Sequence, residues 1–316
     1  MSIIMQEQNK PDFSIVISCY YEEKSIDEFY QRLSSAMRGI GRSYEIIFVN
    51  DGSTDGTFGK LKNIFANDEN VFAVVDLFKN SGQAAAITAG TTFINGKAII
   101  TIDSDLQLEP EDIPSLIKKY DQGYDAVCGY RQNRRDSFLR TWPSKIANVI
   151  MRKSSGAKLH DFGCSLRIIN SKVIQAFNLG PNNIPLLVEV LAKMQNIAEV
   201  PVKHHPRKYG KSGFSFFKLF AYNMDNMILM SHRPFQYTGF FCMVLALLFI
   251  IRCIVSGFWD FKILDQTTNG LILNSVLISF LILLAILSAV GELVIRNFSA
   301  LRKKPYYIIK EFIKNE

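Results

Sequence analysis

The sequence predicts an α/β fold, a mostly parallel open sheet, followed by helices bound for a membrane. Three observations carry that expectation. Apolar runs of strand length alternate with helical patterns from residue 13 to residue 130, as in a parallel sheet built from crossovers. Each strand exit carries polar residues: Tyr20 and Glu22, then Asp51, then Asn80, then Asp103 and Asp105. In open α/β sheets ligands sit just beyond the carboxyl ends of the strands. Two uncharged runs then follow, 18 residues from Pro234 to Ile251 and 26 from Gln266 to Gly291. Each is long enough to span a hydrocarbon core of ~30 Å.

Phe13 to Cys19 reads as the first strand, and Ser25-Ile26-Asp27-Glu28 as a capping box opening a helix to about Met37. Tyr44 to Val49 is the second strand. It ends in Asn50-Asp51-Gly52-Ser53-Thr54-Asp55, a run of turn formers leading into a helix to about Ala66. Val71 to Phe78 is the third strand, and Lys79-Asn80-Ser81-Gly82-Gln83 opens a helix of small residues. Ala98 to Ile102 is a buried strand, followed by a helix from about Pro110 to Tyr120 and a strand at Ala126 to Gly129.

The strand at Ala98 ends in Asp103-Ser104-Asp105, with Gln107 two residues on. Strand side chains alternate faces, so Asp103 and Asp105 point the same way if the chain stays extended. Two carboxylates and an amide oxygen suit Mg²⁺ or Mn²⁺ held together with a substrate diphosphate. The plainer reading is a polar turn capping the next helix, which Leu108-Glu109-Pro110 would begin.

Hydrophobic residues make up 48% of the 316, and the net charge is +7. A basic chain with apolar segments points to an anionic membrane surface or phosphate substrates. The aromatics lie in apolar runs and not in basic stripes, which argues against nucleic acid. Five cysteines without C-x-x-C argue for reduced thiols and against a disulfide framework or structural zinc. Met1 to Asp12 does not read as a signal peptide.

Arg131 to Arg140 is basic, either a solvated loop or an anion site. His160-Asp161-Phe162-Gly163-Cys164-Ser165-Leu166-Arg167 sets an acid and a base around a glycine. Val200-Pro201-Val202 is a further strand. It runs into Lys203-His204-His205-Pro206-Arg207-Lys208-Tyr209-Gly210-Lys211-Ser212-Gly213, which could close over phosphates or rest on lipid headgroups; no metal is assigned to its histidines. Phe214 to Met230 has apolar residues at helical spacing, in a core helix or, beside the uncharged runs, an interfacial one. Lys and Arg on the outer flanks of the two runs place the sheet domain and the tail on the cytoplasmic side.

The ordered set I-S-C-Y-Y-E-E, V-N-D-G-S-T-D-G-T, K-N-S-G-Q, D-S-D-L-Q, H-D-F-G-C-S-L-R and R-K-Y-G-K-S, with the paired spans ending in G-E-L…R-K-K-P-Y-Y-I, resembles the family-2 glycosyltransferases of the polyisoprenyl-phosphate type. That group includes dolichyl-phosphate mannose synthases, undecaprenyl-phosphate 4-deoxy-4-formamido-L-arabinose transferases and related hexosamine transferases. Two departures stand out: Ser18 and Tyr21 replace the Pro and Asn of the usual V-P-x-Y-N-E-E, and Pro181 to Val188 lacks an expected threonine.

The resemblance implies a GT-A domain over 1–213, an interfacial amphipathic helix over 214–233, two transmembrane helices within 234–295 (about 234–256 and 268–292) and a basic cytoplasmic tail over 296–316. It implies nucleotide contacts from Tyr20, Glu22, Asp51, Gly82 and Asp103, and Mg²⁺ or Mn²⁺ held by Asp103, Asp105 and Gln107. It assigns the acceptor phosphate to Arg131 and Arg140, and closure over the diphosphate to Arg207, Lys211 and Ser212. Asp161 would orient sugar or acceptor, or act as a base, with Arg167 bracing the same site. The implied reaction is inverting transfer from a nucleotide sugar, UDP-linked by first choice, to undecaprenyl phosphate at a bacterial inner membrane. It would feed lipid A or envelope glycan modification, in an enzyme that assembles as a tetramer. The alternatives are a processive polysaccharide synthase, for which Q-x-x-R-W and further spans are missing, and an idle nucleotide-binding scaffold.

Overall fold

The structure is a computed structural model. It describes residues 10–132, 152, 159–177, 179–184, 187–206, 208 and 305–315, with scattered helical positions between 276 and 297. The chain divides into two units, Met1–Met230 with Pro305–Glu316, and Ser231–Lys304.

The first unit is built on one sheet of eight strands: β1 (Phe13–Cys19), β2 (Tyr44–Asn50), β3 (Val71–Leu77), β4 (Ala98–Asp103), β5 (Ala126–Arg131), β6 (Arg167–Asn170), β7 (Ile197–Val202) and β8 (Ile309–Lys314). Their spatial order is β7-β5-β6-β4-β1-β2-β3-β8. β1 to β4 run parallel, as the strand–helix alternation predicts, and β5 pairs parallel with β7. β6 is inserted antiparallel between β4 and β5.

Strand periodicity divides the core into two layers. Phe13, Ile15 and Ile17 of β1 join Ile46, Phe48 and Ile100 on one face, while Val16, Ile47, Val49 and Ile99 fill the other. The first face is covered by α1 (Ile26–Arg38), which buries Ile26, Phe29, Leu33 and Met37 at helical spacing. α2 (Thr57–Asn67) adds Leu61 and Ile64. A three-residue 3₁₀ turn, Pro110–Asp112, leads into α4 (Ile113–Tyr120). The second face takes α3 (Gln83–Thr91), whose small residues let it lie close to the sheet. A Cβ on Gly90 would come within 2.5 Å of Val16 Cγ1. α5 (Ser171–Ala176) and α6 (Leu187–Leu191) follow β6.

Two sequence expectations are corrected. Ser25 does not cap α1 with its side chain. It has helical dihedrals, and its hydroxyl donates to the carboxylate of Glu22 and, at 3.2 Å, to its carbonyl; a carboxylate as buried as Glu22 needs such a donor. The stretch 296–316 is not a tail throughout. Ile309–Lys314 pairs antiparallel with β3 and closes the sheet's outer edge. The chain therefore leaves the sheet from β7 at one edge and rejoins it by β8 at the other. Because β7 runs with the parallel strands while Ile309 pairs with Leu77, both connections lie at the carboxyl ends of those strands.

In the second unit, described helical residues expose Val276, Phe280, Leu283, Leu287, Val290 and Val294, each at least 49% exposed. Among the described residues no helix is long and apolar enough to cross a membrane. The interfacial helix expected over 214–233 and the first span lie outside the described residues, as does most of the second.

Candidate active site

Four loops at the carboxyl ends of β1 to β4 build one half of the site. After β1, Tyr20 and Tyr21 form an edge-to-face pair, centroids 4.6 Å apart. Tyr21 holds a positive φ of 57°, a region that favours Asn over bulky residues. Its N–H donates to Ser53 Oγ at 3.1 Å, and its hydroxyl is 2.8 Å from Thr54 Oγ1. Glu22 is buried, and its N–H donates to Thr57 Oγ1 at 3.0 Å.

After β2, the Asp51 carboxylate accepts the N–H of Ser81 at 2.7 Å and of Gly82 at 2.9 Å. Burial pushes its carboxyl up, and these two N–H groups hold it down. Gly52 is required twice over. Its φ is +67°, and a Cβ there would lie 2.3 Å from the backbone carbon of Lys79. Loops 50–55 and 78–82 are thus fastened backbone to backbone.

Asp103 ends β4, and Asp105 follows two residues on. Burial first, and then the negative charge of Asp105, raise the carboxyl of Asp103; Gln83 and Arg167 oppose the rise. Gln83 donates its amide to Asp103. A carboxylate whose charge is disfavoured by burial and by a second acidic side chain fits a divalent cation. Asp105 Oδ1 accepts the N–H of Gln107 at 3.1 Å, and Leu106 between them has φ +60°. Among the described residues no group of three His, Cys, Asp or Glu side chains could hold a metal alone. The donor set of two carboxylates and an amide matches a cation that takes its remaining ligands from substrate phosphates.

The other half comes from β5, β6 and β7. Arg131, ending β5, grips Asp161 through Nε–Oδ2 at 2.7 Å and Nη2–Oδ1 at 2.9 Å. A Cβ on Gly163 would lie 2.7 Å from that guanidinium, which explains the glycine of H-D-F-G. Glu199 of β7 accepts the N–H of His160 at 2.7 Å and sits 2.6 Å from its Nδ1. Arg167 donates to the Phe162 carbonyl at 2.7 Å. It braces the loop that carries Asp161 while its charge acts on Asp103, so the two halves share this residue. The segment after β7 lies alongside the acidic motif: His205 N–H donates to the Gln107 carbonyl at 2.9 Å, and His205 Nε2 is 2.8 Å from Glu109.

Residues 14–177 match the profile of Glycosyl transferase family 2. The undecaprenyl-phosphate 4-deoxy-4-formamido-L-arabinose transferase of Pseudomonas paraeruginosa is 33% identical over 314 residues, 95% of this chain and 90% of that protein. This chain belongs to glycosyltransferase family 2. It is a glycosyltransferase, and its α/β sheet is GT-A-like. Two crystal structures of glucosyl-3-phosphoglycerate synthase from Mycobacterium tuberculosis share the fold. One contains Mn²⁺, uridine diphosphate and glucosyl-3-phosphoglycerate, the other Mn²⁺, uridine diphosphate and phosphoglyceric acid. Each gives a TM-score of 0.50 at 17% identity and covers 71% of this chain, against 79% and 78% of its own.

Arg140, Arg207, Lys211 and Ser212 lie outside the described residues. Gln83, Ser81 and Glu199 were not singled out from sequence. Glu199 left a signal, a carboxylate inside the strand I-A-E-V-P-V. Gln83 closes the motif K-N-S-G-Q.

Proposed function

We propose that this glycosyltransferase moves a sugar from a nucleotide sugar to a polyprenyl phosphate at the cytoplasmic face of a bacterial inner membrane, with inversion at the anomeric carbon. The observation that carries the reading is the extent of the curated relative. A transferase whose name specifies undecaprenyl phosphate aligns along 95% of this chain, through the apolar runs as well as the sheet. The exposed apolar side chains between Val276 and Val294 support lipid contact there. We keep the domain boundaries expected from sequence as part of this proposal, with 309–314 assigned to the catalytic sheet.

Tyr20, Glu22, Asp51, Gly82 and Asp103 line the nucleotide side. Asp103, Asp105 and Gln107 would hold Mg²⁺ or Mn²⁺, which when bound neutralises charge on the departing diphosphate. Arg207, Lys211 and Ser212 close over that diphosphate. The acceptor phosphate monoester, with a second pKa near ~6, arrives largely ionised, so the protein must position it more than deprotonate it. Arg131 and Arg140 take its oxygens, since guanidinium forks match phosphate. Arg131 does so from its pairing with Asp161, which then faces the positive charge developing on the sugar. Arg167 keeps the Asp161 loop in place.

The test is label transfer from a panel of UDP- and GDP-sugars to undecaprenyl phosphate by the full chain in membranes. UDP-sugars come first because uridine diphosphate is the nucleotide named for the fold neighbour. Transfer to the lipid from one donor, abolished by chelator, is expected. Transfer without polyprenyl phosphate, or into a growing polymer, overturns the proposal.

A further inference from the structure

β8 contributes a side chain as well as an edge. Lys310 Nζ donates to Asp76 Oδ2 at 3.0 Å. Asp76, on β3, is 2% exposed, and its other oxygen accepts Asn50 Nδ2 at 2.7 Å. Asn50, fully buried, immediately precedes Asp51; its Oδ1 accepts the N–H of Ser53 at 3.4 Å. Ser53 Oγ in turn accepts the N–H of Tyr21. A continuous path of polar contacts thus joins the strand that follows the second unit to the exposed Tyr20–Tyr21 pair. A buried carboxylate is costly without a cation, and among the described residues Lys310 is the cation at ion-pair distance from Asp76.

We propose that Lys310 is a positioning residue for the nucleotide loop. By pairing with Asp76 it fixes Asn50, and through Asn50 the 50–55 loop and the Tyr21 backbone, in the shape the donor nucleotide meets. This rests on the donor site proposed above. The ion pair reaches the loop through Asn50, so its loss weakens nucleotide binding by loosening that loop. Lys310 is carried by the segment that rejoins the sheet after Ser231–Lys304, so the donor half of the site depends on that return.

The experiment is calorimetric titration of UDP, with Mn²⁺ present, into the full chain in detergent, alongside its thermal midpoint. Lys310→Met is expected to weaken UDP at least fivefold, and Lys310→Arg to bind within twofold of wild type. Asp76→Ala combined with Lys310→Ala leaves no buried unpaired charge but no link to Asn50 either, and is expected to weaken UDP as Lys310→Met does. It carries the test if the single variant fails to fold. Wild-type affinity in Lys310→Met, or in the double variant, overturns this proposal alone, as does a lowered midpoint with UDP affinity unchanged. A wild-type protein that binds neither UDP nor GDP overturns the donor site and this proposal together.

Discussion

On the β1–β3 side of the sheet, loops meet through main chain and through short side chains that bind main-chain N–H groups. Gly52 packs on the backbone of Lys79 and Asn80, and Asp51 takes two amide N–H groups. On the β5–β7 side, contacts run through longer side chains, the Arg131–Asp161 ion pair and Glu199 on the main chain and ring of His160. The Gly52 contact has no rotamer, and Asp51 is held by two N–H groups at once, so the first side is a rigid mould. Ion pairs can exchange one anion for another, so the second can answer an arriving phosphate. A rigid mould suits a nucleotide held the same way each time, and an exchangeable pair suits a substrate that is itself an anion.

Gly52→Ala should break the rigid side outright. An alanine at φ +67° costs about 1–2 kcal/mol, and overlap with immobile backbone adds ~1–3 kcal/mol. The thermal midpoint of the full chain should fall by roughly 4–20 °C; an unchanged midpoint would mean the two loops are not locked.

Asp103→Asn should act on chemistry and not on folding. Transfer is expected to drop about 10²–10³-fold, the scale of losing one preorganised electrostatic group. Burial and Asp105 already penalise the charged form of Asp103, so a neutral amide should leave the midpoint equal or higher. Full activity would remove Asp103 from the cation site.

The exchangeable side is sharpened by a double-mutant cycle. Asp161→Asn and Arg131→Met should each cost about 1–3 kcal/mol of stability, with a coupling of ~0.5–3 kcal/mol. Arg131→Met should also raise the KM for polyprenyl phosphate more than that for the nucleotide sugar. Equal rises in both would make the pair purely structural.

The smallest effect is expected at Tyr21→Asn. Asparagine tolerates the φ of 57° but loses the contact to Thr54 Oγ1. The two changes oppose each other, and chemical denaturation should register a net shift within about 1 kcal/mol.

The parallel core was legible because β1 to β4 are apolar runs separated by helices with plain periodicity, and their polar exits mark the site. β6 was not, since R-I-I-N is four residues long and nothing local in it specifies insertion between β4 and β5. β8 is hidden in the sequence because I-K-E-F-I-K reads as a charged tail. It is an edge strand, and edge strands carry such charges to discourage further pairing. The Arg131–Asp161 pair spans 30 positions; sequence marked each residue without marking the bond. The glycine of K-N-S-G-Q stands out in the sequence, but its service to Asp51 needs two loops in register, which only tertiary structure supplies.

The late arrival of β8 bears on how the protein is made. β3 is an apolar strand, V-F-A-V-V-D-L, and its outer edge stays open until its partner emerges. The Asn315 side chain bonds the carbonyl of Val71, 244 positions earlier. At ~5–20 residues per second of translation, that edge waits on the order of 12–50 s. An open apolar edge invites pairing with a neighbouring nascent chain, so a fragment cut before residue 305 for easier expression would carry that hazard permanently.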